Sequence, residues 1–198
     1  MLIESVKVLK KKKCQYVVTV DGQEYVLTED VLVKFRLKKN DEIDAPTLAT
    51  VLDENEKYLC LDALLACASF KTEKGYREKL YAKGFASAAV NFALDYARKH
   101  GYADDERFAQ SYYEKYAAKK SAALIRHELK NKGVSGEILA SLPRGDERDT
   151  VLEIAKKYMK NKEKTPENKI RLQRHLVSKG FSYGDVAYAA RRLFDDED

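Results

Sequence analysis

The chain has 198 residues, 35% of them charged, and a formal net charge of +5. This length holds one large or two small domains, and no apolar run reaches the roughly 18 residues that a membrane span requires. The first residues lack the apolar segment of a secretory signal. Cys14, Cys60 and Cys67 are too few and too irregularly spaced for a disulfide framework or a zinc site. We therefore expect a cytoplasmic protein without a membrane span.

The N-terminal residues predict a small β-sheet. Residues 2–9, 15–20 and 24–27 are rich in β-branched and aromatic side chains, and Asp21-Gly22 has the composition of a two-residue hairpin turn. The four lysines at residues 10–13 could contact phosphate, but an exposed loop between strands is the simpler interpretation.

A short helix over residues 29–37 is the predicted partner of this sheet. Val31, Leu32 and Phe35 recur there at helical spacing, and Thr28 is the expected N-cap. Such a partner is needed because a sheet of this size is marginal without one.

One motif, Leu-x-x-Lys-Gly-hydrophobic, occurs three times, at residues 80–85, 129–134 and 176–181. It predicts a helix end: Leu faces a core, Lys lies near the negative end of the helix dipole, and Gly takes the left-handed position that a Cβ disfavours. A serine follows each copy and is a candidate N-cap for the next helix. These serines are Ser87, Ser135 and Ser182.

Near-constant spacing of the motif indicates a helical repeat protein. We predict a mainly α fold, with nine helices in tandem three-helix repeats that form a curved array after the β-rich segment. The first repeat helix is expected at residues 55–69, after a break near residues 53–55. The predicted domains are a β-rich extension with a short helix at 1–44 and three repeats at 45–100, 101–145 and 146–198.

Four further helix starts have clear capping signals. Thr72, Asp104 and Ser121 each precede an apolar periodic segment, and Thr165 is followed by Pro166 at the first helical position.

The sequence offers no constellation typical of an enzyme, a cofactor site or a metal site. His100, His127 and His175 share neither a repeat position nor a ligand spacing with the cysteines. Asp104-Asp105 could be an acid/base pair, but two acids at a helix start are better explained by capping. We therefore expect a binding protein and no catalytic, cofactor or metal residues.

Basic side chains flank the middle helix of each predicted repeat. If the repeats are regular, these residues form a basic ridge that could bind a nucleoprotein or nucleic acid. The predicted ridge consists of Lys71, Lys74, Arg77, Lys83, Arg126, Lys130, Lys132, Lys169, Arg171, Arg174 and Lys179.

Several stretches resemble the RecX family of bacterial recombinase regulators. Residues 101–109 resemble its GY-x-DD-x-x-FA signature, residues 77–85 and 126–134 resemble its Arg-x-x-Leu-x-x-Lys-Gly helix ends, and residues 179–183 resemble its last repeat. Residues 21–34 resemble an N-terminal extension found in members from Gram-positive-type bacteria.

The resemblance implies a non-enzymatic protein that binds the RecA filament on single-stranded DNA. It implies restraint of ATP hydrolysis, strand exchange and co-protease activity, within DNA repair, homologous recombination and the SOS response. A monomer is expected, and weak direct binding to DNA is compatible with it. The alternative from the residues alone is a free-standing DNA-binding helical repeat protein, which predicts tight binding to bare DNA with a steep salt dependence.

Overall fold

The computed structural model describes residues 1–9, 14–143 and 147–194. The chain folds as two compact units, Met1–Ala103 and Asp104–Asp198. The predicted four-lysine loop at residues 10–13, the predicted boundary at residues 144–146 and the acidic C-terminal run at residues 195–198 lie outside the described residues.

The predicted three-stranded N-terminal sheet is confirmed, and its strands are antiparallel in the order β1-β2-β3. The strands are β1 (Ile3–Val8), β2 (Gln15–Val20) and β3 (Gln23–Thr28). Asp21 and Gly22 both have positive φ, at 45° and 79°, which is the requirement of the tight hairpin turns that match strand twist.

Helix α1 (Glu29–Phe35) follows the sheet and buries Val31 against it, in one core with Leu27. The prediction that Thr28 is the N-cap residue of this helix is confirmed, although its side chain makes no capping hydrogen bond. Thr28 stands at the N-cap position, but its hydroxyl is buried and finds no hydrogen-bond partner among the described residues.

Helix α2 (Ala45–Leu65) is continuous, so the predicted break near residues 53–55 and the predicted start at residue 55 are wrong. Asn55 lies buried inside this helix and bonds to the sheet. Its Oδ1 accepts the Thr28 backbone N–H at 2.8 Å, and its Nδ2 donates to the Val26 carbonyl at 2.9 Å. A residue type common in turns therefore serves here as a polar link between helix and strand.

The rest of the described chain is helical, which confirms the mainly α fold class with an N-terminal three-stranded sheet. None of the described helices combines the length and the apolar character that a membrane crossing needs. The helices are α3 (Glu73–Tyr81), α4 (Ser87–Lys99), α5 (Asp105–Tyr116), α6 (Ala122–Asn131), α7 (Gly136–Ser141), α8 (Arg148–Met159), α9 (Pro166–Ser178) and α10 (Tyr183–Phe194).

Three sets of helices each surround a core of their own. In the first unit α2, α3 and α4 bury Leu80, while in the second unit α5 to α7 bury Leu129 and α8 to α10 bury Leu172 and Leu176. The motif leucines Leu80, Leu129 and Leu176 are thus fully buried, as predicted. The exact repeat boundaries stay a prediction.

The three Lys-Gly helix ends share one geometry. Gly84, Gly133 and Gly180 have φ values of 88°, 92° and 84°. In the first copy the Gly84 N–H donates to the Tyr81 carbonyl and the Phe85 N–H donates to the Leu80 carbonyl, and the same pair of bonds recurs in the other two copies. This is the Schellman arrangement, and it satisfies carbonyl groups that the helix end leaves without partners.

Most of the predicted side-chain caps are confirmed. Six side chains each accept a backbone N–H in the first turn of the helix that they cap. These are Thr72, Asp104, Ser121, Ser135, Thr165 and Ser182. Ser87 is an exception, because it is the first residue of α4 and Ala86 occupies the N-cap. The Ala86 N–H donates instead to the Glu56 carboxylate at 2.7 Å.

Within the second unit, the start of α6 is hydrogen-bonded to the end of α9. The Ser121 N–H donates to the Lys179 carbonyl at 2.9 Å, and the Ser121 hydroxyl donates to the Gly180 carbonyl at 2.7 Å. A Cβ on Gly180 would lie 2.5 Å from Leu124 Cβ and 2.6 Å from Ser121 Oγ. Gly180 is therefore required both for its left-handed backbone and for close approach.

Gly180→Ala is expected to destabilise the protein more than Gly84→Ala. Both substitutions put a Cβ on a left-handed residue, at a cost of about 1–2 kcal/mol. A Cβ at Gly84 meets no atom within 4 Å, whereas at Gly180 overpacking adds about 1–3 kcal/mol. Urea unfolding followed by circular dichroism measures the difference, and equal losses of stability would contradict the close approach.

Candidate interaction surfaces

Four residues of the predicted basic ridge lie in the first unit, around α3. Lys71 precedes the helix, Lys74 lies on it, and Lys83 follows it. Arg77 is held within the unit, because its guanidinium donates to Asn91 Oδ1 at 2.8 Å and to Glu73 Oε1 at 3.2 Å. Much of the Arg77 charge is therefore compensated internally.

Arg126 on α6 also has an internal role. Its Nε donates to the Leu139 carbonyl at 3.3 Å, and its Nη2 donates to the carbonyls of Leu142 and Pro143 at 3.1 and 2.7 Å. These carbonyls lie at and after the end of α7, where a helix leaves acceptors without partners and presents its negative pole. The guanidinium thus links the end of α7 to α6 through these hydrogen bonds.

The other two ridge residues of this region are exposed. Lys130 lies in the last turn of α6, and Lys132 lies just beyond it with its ammonium 5.6 Å from the centre of the Tyr112 ring.

A half-buried polar network on α5 and α6 was not predicted from the sequence. The Glu128 carboxylate accepts the Tyr112 hydroxyl at 2.9 Å and the Lys120 ammonium at 2.6 and 2.8 Å. Burial raises the pKa of Tyr112 to about 12, together with the hydrogen bond to Glu128. Burial also acts to raise the pKa of Glu128, but the bonds from Lys120 and Tyr112 outweigh it and lower that pKa.

The last ridge residues lie along and after α9. Lys169 is half-buried, 5.7 Å from the centre of the Phe194 ring, and Lys179 is half-buried at the helix end. Arg171 and Arg174 are exposed. The predicted residues are therefore divided between the two units, and their union in a single ridge stays a prediction.

An open groove of about 660 Å³ runs between α9 and α10. Arg174 lines it together with three exposed apolar side chains, Ile170, Val177 and Tyr183. Arg174 belongs to the predicted ridge, whereas its apolar neighbours were not predicted from the sequence. The i, i+7 spacing of Ile170 and Val177, away from the buried Leu172, is the signal that could have found them.

A second concavity, of about 420 Å³, lies between α8 and α10. Three of the residues that line it are arginines, Arg148, Arg191 and Arg192. The guanidinium carbons of Arg148 and Arg192 lie 5.4 and 5.9 Å from the centre of the Tyr188 ring. This arginine cluster, which was not predicted from the sequence, is a positively charged surface suited to phosphate.

The histidines lie in three separate local settings. His100 stacks on Tyr96, with ring centres 4.0 Å apart, and His175 stacks on Tyr158 at 4.5 Å. His127 lies beside Asn131. In the described part of the chain no three His, Cys, Asp or Glu side chains are grouped so as to hold a metal ion.

Arg126→Ala is expected to lower the free energy of unfolding by about 1–3 kcal/mol, since it removes charged hydrogen bonds to the α7 end. Lys130→Ala, on the exposed side of the same helix, is the matched control and should change stability by less than about 0.5 kcal/mol. Chemical denaturation measures both. If Arg126→Ala is as stable as wild type, the hydrogen bonds from the guanidinium to the end of α7 do not stabilise the fold.

Glu128→Gln is expected to remove a pH-dependent part of the stability. The lowered pKa of folded Glu128 means that the carboxylate stabilises the fold above its unfolded pKa, about 4.3, and that this contribution is lost as the pH falls through the folded pKa. At pH about 7 the loss should be about 1–3 kcal/mol. The difference between wild type and variant in urea midpoints should shrink toward pH about 3.

Glu153→Gln, at an exposed ion pair of α8, is the control for this pH series and should alter stability by less than about 1 kcal/mol at any pH. A wild-type to Glu128→Gln difference that stays constant with pH would contradict the charged network.

Comparison with known proteins supplies the family. The family model described as "RecX, second three-helix domain" matches residues 104–141. The chain is 30% identical over 203 residues to "Regulatory protein RecX" of Clostridium tetani, a match that covers 96% of this chain and 92% of the relative. The protein of that name from Clostridium perfringens strain 13 is 28% identical, over 98% of this chain and 97% of its own length.

The fold agrees with these sequence matches. A crystal structure of regulatory protein RecX superposes with a TM-score of 0.67 at 23% identity, and the match covers 99% of each chain. The chain belongs to the RecX family of regulatory proteins.

Proposed function

We propose that this protein is a modulator, mainly an inhibitor, of the RecA recombinase, and that it binds the RecA filament on single-stranded DNA. By occupying the filament it restrains ATP hydrolysis, strand exchange and co-protease activity in DNA repair and the SOS response. The observation that carries this proposal is the match to relatives named as regulatory proteins over nearly the whole chain.

The surfaces of the second unit support a mechanism based on binding. A nucleoprotein filament presents DNA phosphates together with protein side chains, so its partner benefits from basic and apolar groups side by side. The face of α9 that carries Arg171 and Arg174 beside Ile170 and Val177 has this composition. Inhibition then requires a bound protein that stiffens or blocks the filament, and no bond needs to be made or broken.

Asp104 and Cys60 belong to residue types that can serve in catalysis, but neither is disposed for it here. The Asp104 carboxylate accepts the Arg107 N–H at 2.9 Å as the cap of α5, and burial raises the pKa of the Cys60 thiol to about 11. A thiol with that pKa is protonated at neutral pH and is a poor nucleophile. These observations favour a regulator over an enzyme, and we propose that it acts in the cytoplasm as a monomer.

Direct binding to DNA is a second candidate function. The arginine cluster formed by Arg148, Arg191 and Arg192 favours it, because guanidinium groups bind phosphate oxygens well. A free-standing DNA-binding protein would bind bare single-stranded DNA as tightly as it binds the filament. A filament modulator would bind bare DNA more weakly, so titration of both with labelled oligonucleotide distinguishes the two.

DNA-dependent ATP hydrolysis by the recombinase tests the proposed function. We expect stoichiometric amounts of the wild-type protein to reduce hydrolysis. The Arg171→Glu/Arg174→Glu variant should need at least about tenfold more protein for the same reduction, since it reverses two charges on the proposed face.

Lys156→Glu/Lys157→Glu, at exposed positions of α8, makes the same change in net charge and should inhibit like wild type. Unchanged hydrolysis with the wild-type protein would overturn the proposed function. Equal loss of inhibition in both variants would show that net charge, and not the α9 face, is responsible.

A further inference from the structure

The groove between α9 and α10 carries apolar side chains that the fold does not need. Ile170, Val177 and Tyr183 are 49%, 42% and 83% exposed, although α9 buries Leu172 and Leu176 completely on its other side. The helix therefore has two apolar stripes, and the core covers only one of them. Exposed apolar side chains that converge on one concave surface are typical of a binding site.

The dimensions of the groove fit a short helix. Ile170 and Val177 are seven residues apart, which is two turns or about 10 Å along α9. The volume of 660 Å³ extends across to Tyr183, Val186 and Ala187 on α10. An apolar groove of this kind is the setting in which an amphipathic helix is held through side chains at i and i+3 or i+4.

The charge of the groove restricts what can occupy it. Arg174 lines it, Arg171 is exposed on the same helix, and none of the described lining residues is acidic. A partner segment that carries apolar side chains and a carboxylate can pack on the apolar rim and pair with the guanidinium of Arg174. A DNA strand would leave the rim without apolar contacts, and its phosphates are better matched by the arginine cluster between α8 and α10.

We propose that the groove between α9 and α10 binds a short amphipathic helical segment of a partner protein, through two apolar anchors and a carboxylate that faces Arg174. This inference rests on the proposed function in one respect, since it assigns the segment to the recombinase. It goes beyond that function because it names the groove as a protein-binding site and gives the class of segment that the groove takes.

The test uses the full-length protein and recombinase filaments assembled on poly(dT) with a non-hydrolysable ATP analogue. Binding is measured for wild type, Ile170→Gln/Val177→Gln, Tyr183→Ser and Arg174→Glu. The double variant is expected to bind at least about tenfold more weakly, and the two single variants should also bind more weakly, because the apolar anchors and the ion pair contribute together. Binding to poly(dT) without recombinase is expected to be unchanged for the two apolar variants.

Val33→Gln/Leu65→Gln is the matched control. It makes similar changes at exposed apolar positions of the first unit, 70% and 43% exposed, and should bind filaments like wild type. Circular dichroism checks that each variant is folded. Tyr183→Ser changes the most exposed of the three apolar groove positions, so it still tests the groove if the double variant does not fold.

If the wild-type protein binds filaments and the groove variants bind them with the same affinity, the groove proposal alone is overturned. A wild-type protein that fails to bind filaments would overturn the proposed function and the assignment of the groove with it. Sedimentation tests whether a second copy of this chain occupies the groove. If the wild-type protein is a dimer and the Ile170→Gln/Val177→Gln variant is a monomer, the proposal is overturned in favour of self-association.

Discussion

The left-handed glycine after each motif lysine is the constraint on which the helical architecture depends. In the Schellman geometry the chain leaves the helix and returns its next apolar residue to the core, as Phe181 does beside the buried Leu176. At Gly180 the same turn also receives the start of α6, because the Ser121 N–H and hydroxyl bond to the Lys179 and Gly180 carbonyls. A local backbone rule thus fixes a long-range junction, and it directs the chain from α9 into α10.

The first unit depends on a different link. The three-stranded sheet covers one end of α2, and Asn55 joins the two elements with one accepted and one donated hydrogen bond. Both groups of the amide are used at a buried position, so its desolvation is offset. Beside it, Glu54 pairs with Lys34 of α1 and with Lys57. The polar residues that resemble a break in the sequence are those that bind α2 to the N-terminal sheet and to α1.

The features that the sequence predicted correctly depend on residues close together in the chain. The caps at Asp104 and Thr165 and the Lys-Gly helix ends need only a few neighbouring residues, so their signals are visible in the sequence. The errors involve distant partners. Asn55 resembles a turn residue until the strand is placed beside it, and Ala86 is bonded by Glu56 from another helix. The internal contacts of Arg126 likewise depend on the distant end of α7, while its place in the predicted ridge stays a prediction.

The same distinction divides the basic residues by how their hydrogen-bond donors are used. Arg77 and Arg126 use their hydrogen-bond donors within the protein, so an approaching anion would have to compete with partners already in place. Arg171 and Arg174 are exposed beside an apolar rim, and neither makes a comparable set of hydrogen bonds within the described part of the chain. Salt screens the attraction of exposed charges but leaves apolar burial intact. Under the proposed function, a surface that combines both contributions would favour a protein-coated filament over bare DNA, whereas a uniformly basic ridge would not, because phosphate charge is common to both.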